Sequence, residues 1–391
     1  MKTYDIIIIG AGITGAALSY ELVTKGFTVL LLEQDTTPQN ATRYSYGGLA
    51  FWNTTTSFTS QLCKESKQLY QKLSQELNSD IQFRELDLLL TIPENNNPEE
   101  IAASYQGFAT PPQLLNRNQA CELEPLLNKE AISGALTVKH GHIHPEKTTQ
   151  AYIKAFLLAG GKMQISKVLE INSEDLLVKT NTDTFSCKNL VVCAGGFSRK
   201  LLQTSGIPIQ VYFTHAEIIE TPPVDLRLNT LVMPANLQRY QLEADGSKDD
   251  KLWNQNNQLG WILDVGAVQF QDNSLRLGQI SHINTNPDAA IDSVKSEAAL
   301  REKIGKVLPD LAKFTGNWHH CLVAFSKDNL PLIGAVNQSN NIHIFSGFSN
   351  PLVFIPPLAR RFANYLAGRK DEIITNLSPQ RFVSEQLTVN S

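Results

Sequence analysis

The chain begins with a continuous apolar run of the kind that fills a strand buried on both faces. After Asp5, residues 6–9 are all isoleucine, and a glycine-rich turn follows at once. Such a run is typical of a central strand in a parallel sheet, because a sheet with one wet face would show alternation. We therefore predict a strand over Tyr4–Ile9, a helix from about Ile13 to Lys25, and a second strand over Phe27–Leu32.

Three glycines occupy the predicted turn between the first strand and the helix. Gly10, Gly12 and Gly15 fit the pattern G-x-G-x-x-G, in which the first turns the chain, the second admits a pyrophosphate and the third lets helix and strand pack closely. Glu33 ends the second strand, where a carboxylate can accept hydrogen bonds from both ribose hydroxyls. The segment predicts a dinucleotide site, and it does not separate NAD from FAD.

Further patterns predict elements downstream. Residues 81–93 and 261–282 alternate or run apolar at strand length, which indicates an antiparallel sheet. Residues 148–159 are amphipathic and predict a helix, and the polar stretch 243–258 predicts an exposed loop or lid. Two adjacent prolines at positions 356–357 can open a last helix, since proline is tolerated in a first helical turn.

Composition adds three exclusions to this picture. The 391 residues are 42% apolar and 18% charged, and the net charge of -4 argues against a nucleic-acid partner. The five cysteines are scattered without a C-x-x-C pair, so they indicate neither a disulfide framework nor a zinc ribbon, and a reducing, cytoplasmic location is expected. No run approaches the roughly eighteen apolar residues of a membrane span.

The segments that carry a family resemblance are Thr42–Leu49, Glu124–Leu126, Gly134–Ala135, Gly141–Pro145, Leu190–Gly196, Asp328–Gly334, Phe345–Phe348 and Arg381–Phe382. In this order, along nearly the whole chain, they resemble the D-amino-acid oxidase and glycine oxidase family of flavoproteins. The resemblance implies FAD as the cofactor and an α/β fold in which a Rossmann-like FAD-binding domain is interleaved with an α+β substrate domain built on an antiparallel sheet. The expected FAD-binding pieces are 1–80, 145–212 and 325–391, and the substrate domain is 81–144 and 213–324.

The resemblance also assigns cofactor contacts, which join those of the glycine turn. The expected FAD site is Gly10, Gly12, Ile13, Thr14, Gly15, Glu33, Thr42, Arg43, Ser45, Gly47, Gly48, Val168, Ala194, Gly195, Gly334, Gly347, Phe348, Asn350 and Leu352. Small residues are needed wherever the backbone approaches the cofactor closely. The chain departs from the family after Gly347, where Ser349-Asn350-Pro351 replaces the usual further glycine.

The chemistry that the resemblance implies is oxidation of an amine or amino acid, with O2 or another compound as the electron acceptor. A hydride leaves the carbon next to nitrogen, and the resulting imine hydrolyses. In amino-acid-oxidising relatives an arginine five residues before the aspartate of the closing signature binds the substrate carboxylate, and here that position is Val323. Arg239 and Arg276 are the alternative cations, unless they are solvated strand residues, and Tyr46 and Tyr240 complete the candidate catalytic set.

Three further alternatives stay open at this point. Cys321 lies at the offset where the sarcosine-oxidase branch of the family links its flavin covalently, and non-covalent FAD with a buried free cysteine is the other possibility. His140, His142 and His144 alternate, and we interpret them as part of a domain crossover and expect no metal site. A dehydrogenase that passes electrons to a quinone or carrier, and a non-catalytic flavin-binding protein, are the alternative functions.

Overall fold

Strands and helices alternate along most of the chain in the computed structural model, which describes residues 2–382. In chain order the strands are β1 (Thr3–Ile9), β2 (Val29–Glu33), β3 (Gly48–Leu49), β4 (Arg84–Pro93), β5 (Gln113–Asn116), β6 (Ile132–His142), β7 (Lys162–Ile165), β8 (Val168–Asn172), β9 (Leu177–Thr180), β10 (Thr184–Val192), β11 (Val211–Glu220), β12 (Leu231–Pro234), β13 (Gln258–Gln269), β14 (Leu275–Asn284), β15 (Asn317–Ser326), β16 (Leu332–Ala335) and β17 (Ile342–Ser346). The helices are α1 (Ile13–Val23), α2 (Ala41–Tyr44), α3 (Ser57–Glu76), α4 (Pro98–Ser104), α5 (Arg117–Leu123), α6 (Pro145–Leu158), α7 (Ser198–Thr204), α8 (Gln238–Gly246), α9 (Ser293–Val307), α10 (Pro351–Leu366) and α11 (Glu372–Asn376).

The first sheet is built around the N-terminal apolar run. Its strand order is β16-β17-β10-β1-β2-β7, and β1 pairs in parallel with both β10 and β2. Ile6 and Ile8 enter the core beneath α1, α6 and α10, whereas Ile7 and Ile9 enter a second core on the opposite face. Burial on both faces explains why the strand is continuously apolar. The predicted Rossmann-like unit is confirmed, with β2 beginning at Val29.

The second sheet is mainly antiparallel, as predicted, in the order β15-β11-β14-β13-β12-β4-β6-β3. One pair departs from that pattern, because β12 runs parallel to β4. The stretch predicted over 261–282 is a hairpin of β13 and β14, and the strand predicted from residue 81 begins at Arg84. Helix α9 covers the outer face, where Leu300 and Ile304 pack against Ile219 and Leu277.

Among residues 2–382, three strands of the second sheet extend into the predicted FAD-binding segments. β3 falls within the segment 1–80 but pairs with β6. The first two residues of β11 lie within 145–212, and the last two residues of β15 lie within 325–391. Residue 1 and residues 383–391, which the prediction also assigned to the FAD-binding domain, lie outside the described residues. Among the helices of residues 2–382, none has the length and hydropathy of a bilayer-spanning segment.

The last long helix begins earlier than predicted, and that prediction was wrong. α10 starts at Pro351, so Pro356 and Pro357 lie inside it. Proline lacks a backbone N–H, so the carbonyl of Leu352 loses the hydrogen bond it would receive from position 356. The Tyr70 hydroxyl donates to that carbonyl at 2.5 Å and replaces the missing bond. The hydrogen bond from Tyr70 of α3 therefore stabilises the first turns of α10. From the local sequence alone, the helix was predicted to begin five residues later, at Pro356.

The polar stretch 243–258 is folded and partly buried, so the predicted exposed loop was also wrong. α8 extends to Gly246, and a 3₁₀ turn follows at Asp250–Asn254. Trp253 is buried, packs against Tyr212, and donates from Nε1 to the carbonyl of Gly246 at 2.8 Å. One buried tryptophan thus anchors a segment whose average composition resembles that of a surface loop.

Candidate functional site

A cavity of about 700 Å³ lies between the carboxyl ends of the first sheet and the inner face of the second. Open α/β sheets bind ligands at the carboxyl ends of their strands. Of the residues expected to bind FAD, those on the cavity wall are Ile13, Thr14, Thr42, Ser45, Gly48, Gly195, Gly347, Phe348, Asn350 and Leu352. Those outside the wall are Gly10, Gly12, Gly15, Glu33, Arg43, Gly47, Val168, Ala194 and Gly334.

The three glycines of the turn meet different demands. Gly10 has a φ of +101°, and a Cβ there would lie 2.6 Å from the carbonyl oxygen of Cys193. A Cβ at Gly15 would lie 1.8 Å from the carbonyl oxygen of Gly10. At Gly12, by contrast, the nearest atom to an added Cβ is the Thr42 hydroxyl oxygen at 3.4 Å. The chain itself does not require glycine at position 12, so the space beside it fits the close approach of a pyrophosphate.

The N-terminus of α1 also fits a phosphate. It has no side-chain cap and no acidic residue in its first turn. The Ile13 amide donates to the Thr42 hydroxyl at 3.2 Å, and both residues line the cavity together with Thr14. The other first-turn amides and the positive end of the helix dipole favour an anion at this position. The pyrophosphate of FAD is the anion that the glycine pattern predicts.

Glu33 is buried at the end of β2, where its carboxylate is held by backbone amides. Oε2 accepts from the amide of Ala11 at 2.7 Å, and Oε1 accepts from the amides of Gln34 and Asp35 at 2.9 and 3.2 Å. A carboxylate offers roughly four acceptor positions. One position therefore remains on Oε2, which suits one ribose hydroxyl instead of the two in our prediction.

Arg43 and Arg276 meet at a carboxylate away from the cavity wall. Arg43 donates to both oxygens of Glu220 at 2.7 and 2.8 Å and also pairs with Glu146 at 3.0 Å. The hydrogen bond with Glu220 raises the pKa of Arg43 above its usual range. Arg276, whose side chain is 3% exposed, pairs with Glu220 at 3.2 Å and donates to the Ser45 carbonyl. Neither arginine lines the cavity, and both connect α2 and its neighbouring residues to the strands of the second sheet.

Arg239, at the start of α8, lies on the cavity wall beside Tyr240. Its Nε donates to Oε1 of the buried Glu243 at 2.9 Å, and the charge of Glu243 raises the pKa of Arg239. The same Oε1 accepts from the Thr214 hydroxyl at 3.2 Å. Nη1 and Nη2 of Arg239 have no hydrogen-bond or ion-pair partner among residues 2–382, and the charge of Asp264 acts on the guanidinium from beyond ion-pair distance. One edge of the guanidinium is therefore available to a ligand.

The register of the second sheet places this guanidinium close to Val323. Thr214 of β11 lies directly opposite Val323 of β15. Opposite residues of an antiparallel pair project from the same face, and Ala216, two residues beyond Thr214, lines the cavity as Val323 does. Glu243 bonds to both Thr214 and Arg239, so α8 delivers an arginine to the neighbourhood where the amino-acid-oxidising relatives carry one on the strand.

Another part of the cavity wall is apolar. It consists of Trp52, Leu88, Leu90, Tyr105, Phe108, Leu231, Met233 and Pro234. Tyr46 contributes its ring, whereas its hydroxyl oxygen is buried without a hydrogen-bond partner among the described residues. Burial raises the pKa of Tyr46 above its ordinary value, so this phenol stays neutral.

The histidines flagged in the sequence each have a hydrogen-bonding role. Nδ1 of His140 accepts from Trp52 Nε1 at 3.1 Å, and Nδ1 of His142 accepts from Arg84 Nε at 3.3 Å. His144 caps α6. Within residues 2–382 no group of three or more histidine, cysteine, aspartate or glutamate side chains is placed to hold a metal ion.

Cys321 lies on the cavity wall, on the same strand as Val323. Burial raises the pKa of its thiol to about 12. His215 lies outside the wall, and its Nδ1 is 2.9 Å from Nε2 of His320. Sequence reasoning missed Thr214 and Glu243, although the spacing of Arg239 and Glu243 along a helix was an available signal.

Comparison with known proteins agrees with this geometry. The family model described as DAO, FAD dependent oxidoreductase, matches residues 5–365. A glycine oxidase of Geobacillus kaustophilus is 27% identical over 247 residues, which cover 60% of this chain and 65% of the relative. A 4-methylaminobutanoate oxidase of Paenarthrobacter nicotinovorans is 23% identical over 97% of this chain and 46% of its own length. The chain thus spans less than two thirds of these curated relatives.

A solved structure shows the shared fold. The crystal structure of glycine oxidase from Geobacillus kaustophilus matches with a TM-score of 0.80 at 21% identity, and the match covers 97% of this chain and 99% of that one. The interleaving of a parallel sheet with a largely antiparallel sheet is therefore an architecture that the two chains share.

Proposed function

The chain belongs to the family of FAD-dependent oxidoreductases, and from this premise we propose that it oxidises the carbon–nitrogen bond of an amino acid whose carboxylate is bound by Arg239. Bound FAD supplies the hydride acceptor for such a reaction. Gly12, Thr42 and the first-turn amides of α1 would hold its pyrophosphate, and Glu33 would accept one ribose hydroxyl. The oxidised product is an imine, which water hydrolyses.

The observation that carries the substrate assignment is the position of Arg239. Among the described residues on the cavity wall, it is the single lysine or arginine. A carboxylate buried without a cation is strongly disfavoured, whereas a guanidinium edge binds it bidentately. Glu243 holds Nε, and within the described part of the chain Nη1 and Nη2 have no hydrogen-bond partner. In this proposal α8 supplies the cation through Arg239, and β15 does not, because it carries Val323. The site for the substrate carboxylate is thereby retained.

The cavity wall supplies no base for the substrate nitrogen. None of its described residues is an aspartate or glutamate. His140 lies on the wall, but burial lowers its pKa to about 4 and its Nδ1 accepts from Trp52. The amine must therefore reach the site neutral, having lost its proton to water. Orientation by Arg239, together with exclusion of water by the apolar wall, is the contribution of the protein.

We propose non-covalent attachment of the cofactor. A thiolate is the reactive form of cysteine, and the buried Cys321 thiol, with a pKa of about 12, is protonated near neutral pH. Acid precipitation should leave all of the flavin in the supernatant, and flavin in the pellet would establish a covalent bond. The cytoplasmic location expected from the five free cysteines also stays a prediction.

The experiment that tests the proposed function is an anaerobic panel of donors mixed with the purified yellow protein. The visible spectrum is recorded while each donor is added. The donors are L- and D-amino acids, their decarboxylated amines and N-methyl compounds. We expect amino acids to bleach the flavin and the matching amines to do so far more slowly. Bleaching by amines alone would contradict the role of Arg239, and no bleaching by any donor would leave a flavin-binding protein without this activity.

The electron acceptor is resolved by a second stage of the same experiment. Protein that a donor has bleached is exposed to oxygen, or to a soluble quinone without oxygen, and the return of the yellow colour is timed. Rapid reoxidation with hydrogen peroxide as the product supports an oxidase, which is the form that we propose. Reoxidation by the quinone alone supports a dehydrogenase.

A further inference from the structure

The apolar residues of the cavity wall pack together as one cluster, and we call the part of the cavity that they line the apolar chamber. Its members are Trp52, Leu88, Leu90, Tyr105, Phe108, Leu231 and Met233. β4 supplies Leu88 and Leu90, and the parallel neighbour β12 supplies Leu231 and Met233, whose registers align. The parallel pairing of β4 and β12 thus brings four large aliphatic side chains onto a single wall.

Aromatic rings close the apolar chamber on another side. Trp52 contacts Phe108 edge to face at a centroid distance of 5.4 Å and stacks with Tyr105 at 6.4 Å, and Tyr105 lies 5.5 Å from Phe108. Mutual contacts of this kind hold aromatic rings in preferred arrangements. The indole N–H of Trp52 is already bonded to His140. The Tyr46 hydroxyl oxygen is itself buried, so neither of these two polar groups is presented to a ligand at this wall.

The apolar chamber adjoins the guanidinium of Arg239 in the chain and in space. β12 ends at Pro234 and α8 begins at Gln238, so five residues separate Met233 from Arg239. Leu237 and Tyr240, which flank the arginine, line the same cavity. A ligand whose carboxylate lies on Arg239 can therefore extend its remaining groups into the apolar chamber.

We infer that the substrate is an α-amino acid with a bulky apolar or aromatic side chain, which occupies the apolar chamber while Arg239 holds the carboxylate. This inference rests on the proposed function. Apolar ligand surface removed from water is the favourable term, and in enzyme pockets each methylene changes kcat/KM by about 10-fold to 200-fold. Glycine would leave the apolar chamber unfilled and lose that contribution.

The test is a side-chain series measured in anaerobic flavin reduction. Glycine is compared with both enantiomers of alanine, leucine and phenylalanine. We expect kcat/KM for leucine or phenylalanine to exceed that for glycine by about 100-fold or more in the preferred enantiomer. A second readout needs no turnover: acetate, 4-methylpentanoate and 3-phenylpropanoate should perturb the flavin spectrum with dissociation constants that fall in that order.

Two variants of the apolar chamber make the assignment specific. Met233→Phe fills it and should lower the leucine-to-glycine ratio of kcat/KM by about 10-fold or more, whereas Phe108→Ala enlarges it and should shift the optimum towards larger side chains. Leu158→Phe is the matched control, because Leu158 is 74% exposed on α6, and it should leave the ratio unchanged. A circular dichroism spectrum and the flavin content establish that each variant is folded.

The outcomes separate the inference from the proposed function. If glycine reduces the flavin as well as leucine and phenylalanine do, the apolar chamber does not select the substrate, although amino-acid oxidation stands. If Met233→Phe leaves the leucine-to-glycine ratio unchanged in folded protein, the assignment of the apolar chamber is wrong. If no amino acid reduces the flavin at all, both the proposed function and this inference are overturned.

Discussion

Replacing Arg239 by methionine should remove the carboxylate contact while keeping an unbranched side chain of similar length. Loss of one partner from a buried, hydrogen-bonded charge pair costs about 2–5 kcal/mol. At about 1.4 kcal/mol per factor of ten, kcat/KM for an amino acid should fall about 30-fold to 4,000-fold. The decarboxylated amine makes no such contact, so its kcat/KM should change by less than about threefold.

The same substitution exposes a structural role that must be separated from binding. Glu243 is 2% exposed and would lose its cation, keeping the hydrogen bond from Thr214. An uncompensated buried charge is destabilising, so R239M should lower the melting temperature. The double variant R239M/E243Q removes both charges, and it should regain stability without regaining kcat/KM for the amino acid.

A transplanted arginine provides the sharpest control. Thr214 and Arg239 both donate to Oε1 of Glu243, and Thr214 lies directly opposite Val323 on the neighbouring strand. An arginine at position 323 would therefore begin close to the place that the Arg239 side chain occupies from α8. The variant R239M/V323R should recover part of the lost kcat/KM for the amino acid. Arg227→Met replaces an exposed arginine, and it should change kcat/KM neither for the amino acid nor for its decarboxylated amine.

The reasoning about Arg239 is refuted by one pattern of rates. If R239M lowers kcat/KM equally for the amino acid and for its decarboxylated amine, the arginine has no specific contact with the carboxylate. The assay is anaerobic stopped-flow reduction of the flavin at several substrate concentrations, which gives kcat/KM for both donors with the same protein sample.

Three other predictions follow from the geometry. Gly15→Ala forces backbone movement and should lower the free energy of unfolding by about 1–3 kcal/mol, whereas Gly12→Ala should keep the melting temperature of the FAD-free protein and weaken FAD binding by about tenfold or more in fluorescence titration. Burial lowers the pKa of His215 and His320 to about 4, below the value of about 6.5 for an unfolded chain. The unfolded chain therefore binds more protons, and the free energy of unfolding should fall as the pH drops from about 6.5 towards 4, with a smaller fall in His215→Gln. Since the cavity wall offers no base, the pH at which kcat/KM rises should follow the pKa of each substrate amine, and a rise at one fixed pH for all amines would contradict this.

The parts of the fold that the sequence could predict are those decided by neighbouring residues. The strand–turn–helix–strand unit ending at Glu33 is specified by a local apolar run and three glycines. The start of α10 at Pro351 was not predictable, because Tyr70 of α3 supplies the hydrogen bond that the internal prolines remove. The burial of Trp253 likewise depends on Tyr212, a residue of a distant strand.

The residues of the candidate site also differ in how far the sequence could predict them. The glycine turn and the residues around Thr42 were predictable from spacing and from the family resemblance. The choice between Arg239 and Arg276 was not predictable, because nothing in the sequence around either arginine indicates which one faces the cavity. It depends on which carboxylate holds each one: Glu220 keeps Arg276 behind the cavity, whereas Glu243 holds Arg239 on its wall.

The central claim is that the carbon next to nitrogen in an amino acid loses its hydrogen to the flavin, and one measurement tests it directly. The amino acid that bleaches the flavin fastest is prepared with deuterium on that carbon and mixed anaerobically with the protein in a single turnover. We predict slower bleaching than with the undeuterated substrate and a product without deuterium at that carbon. Bleaching at an unchanged rate, with deuterium retained in the product, would contradict the account.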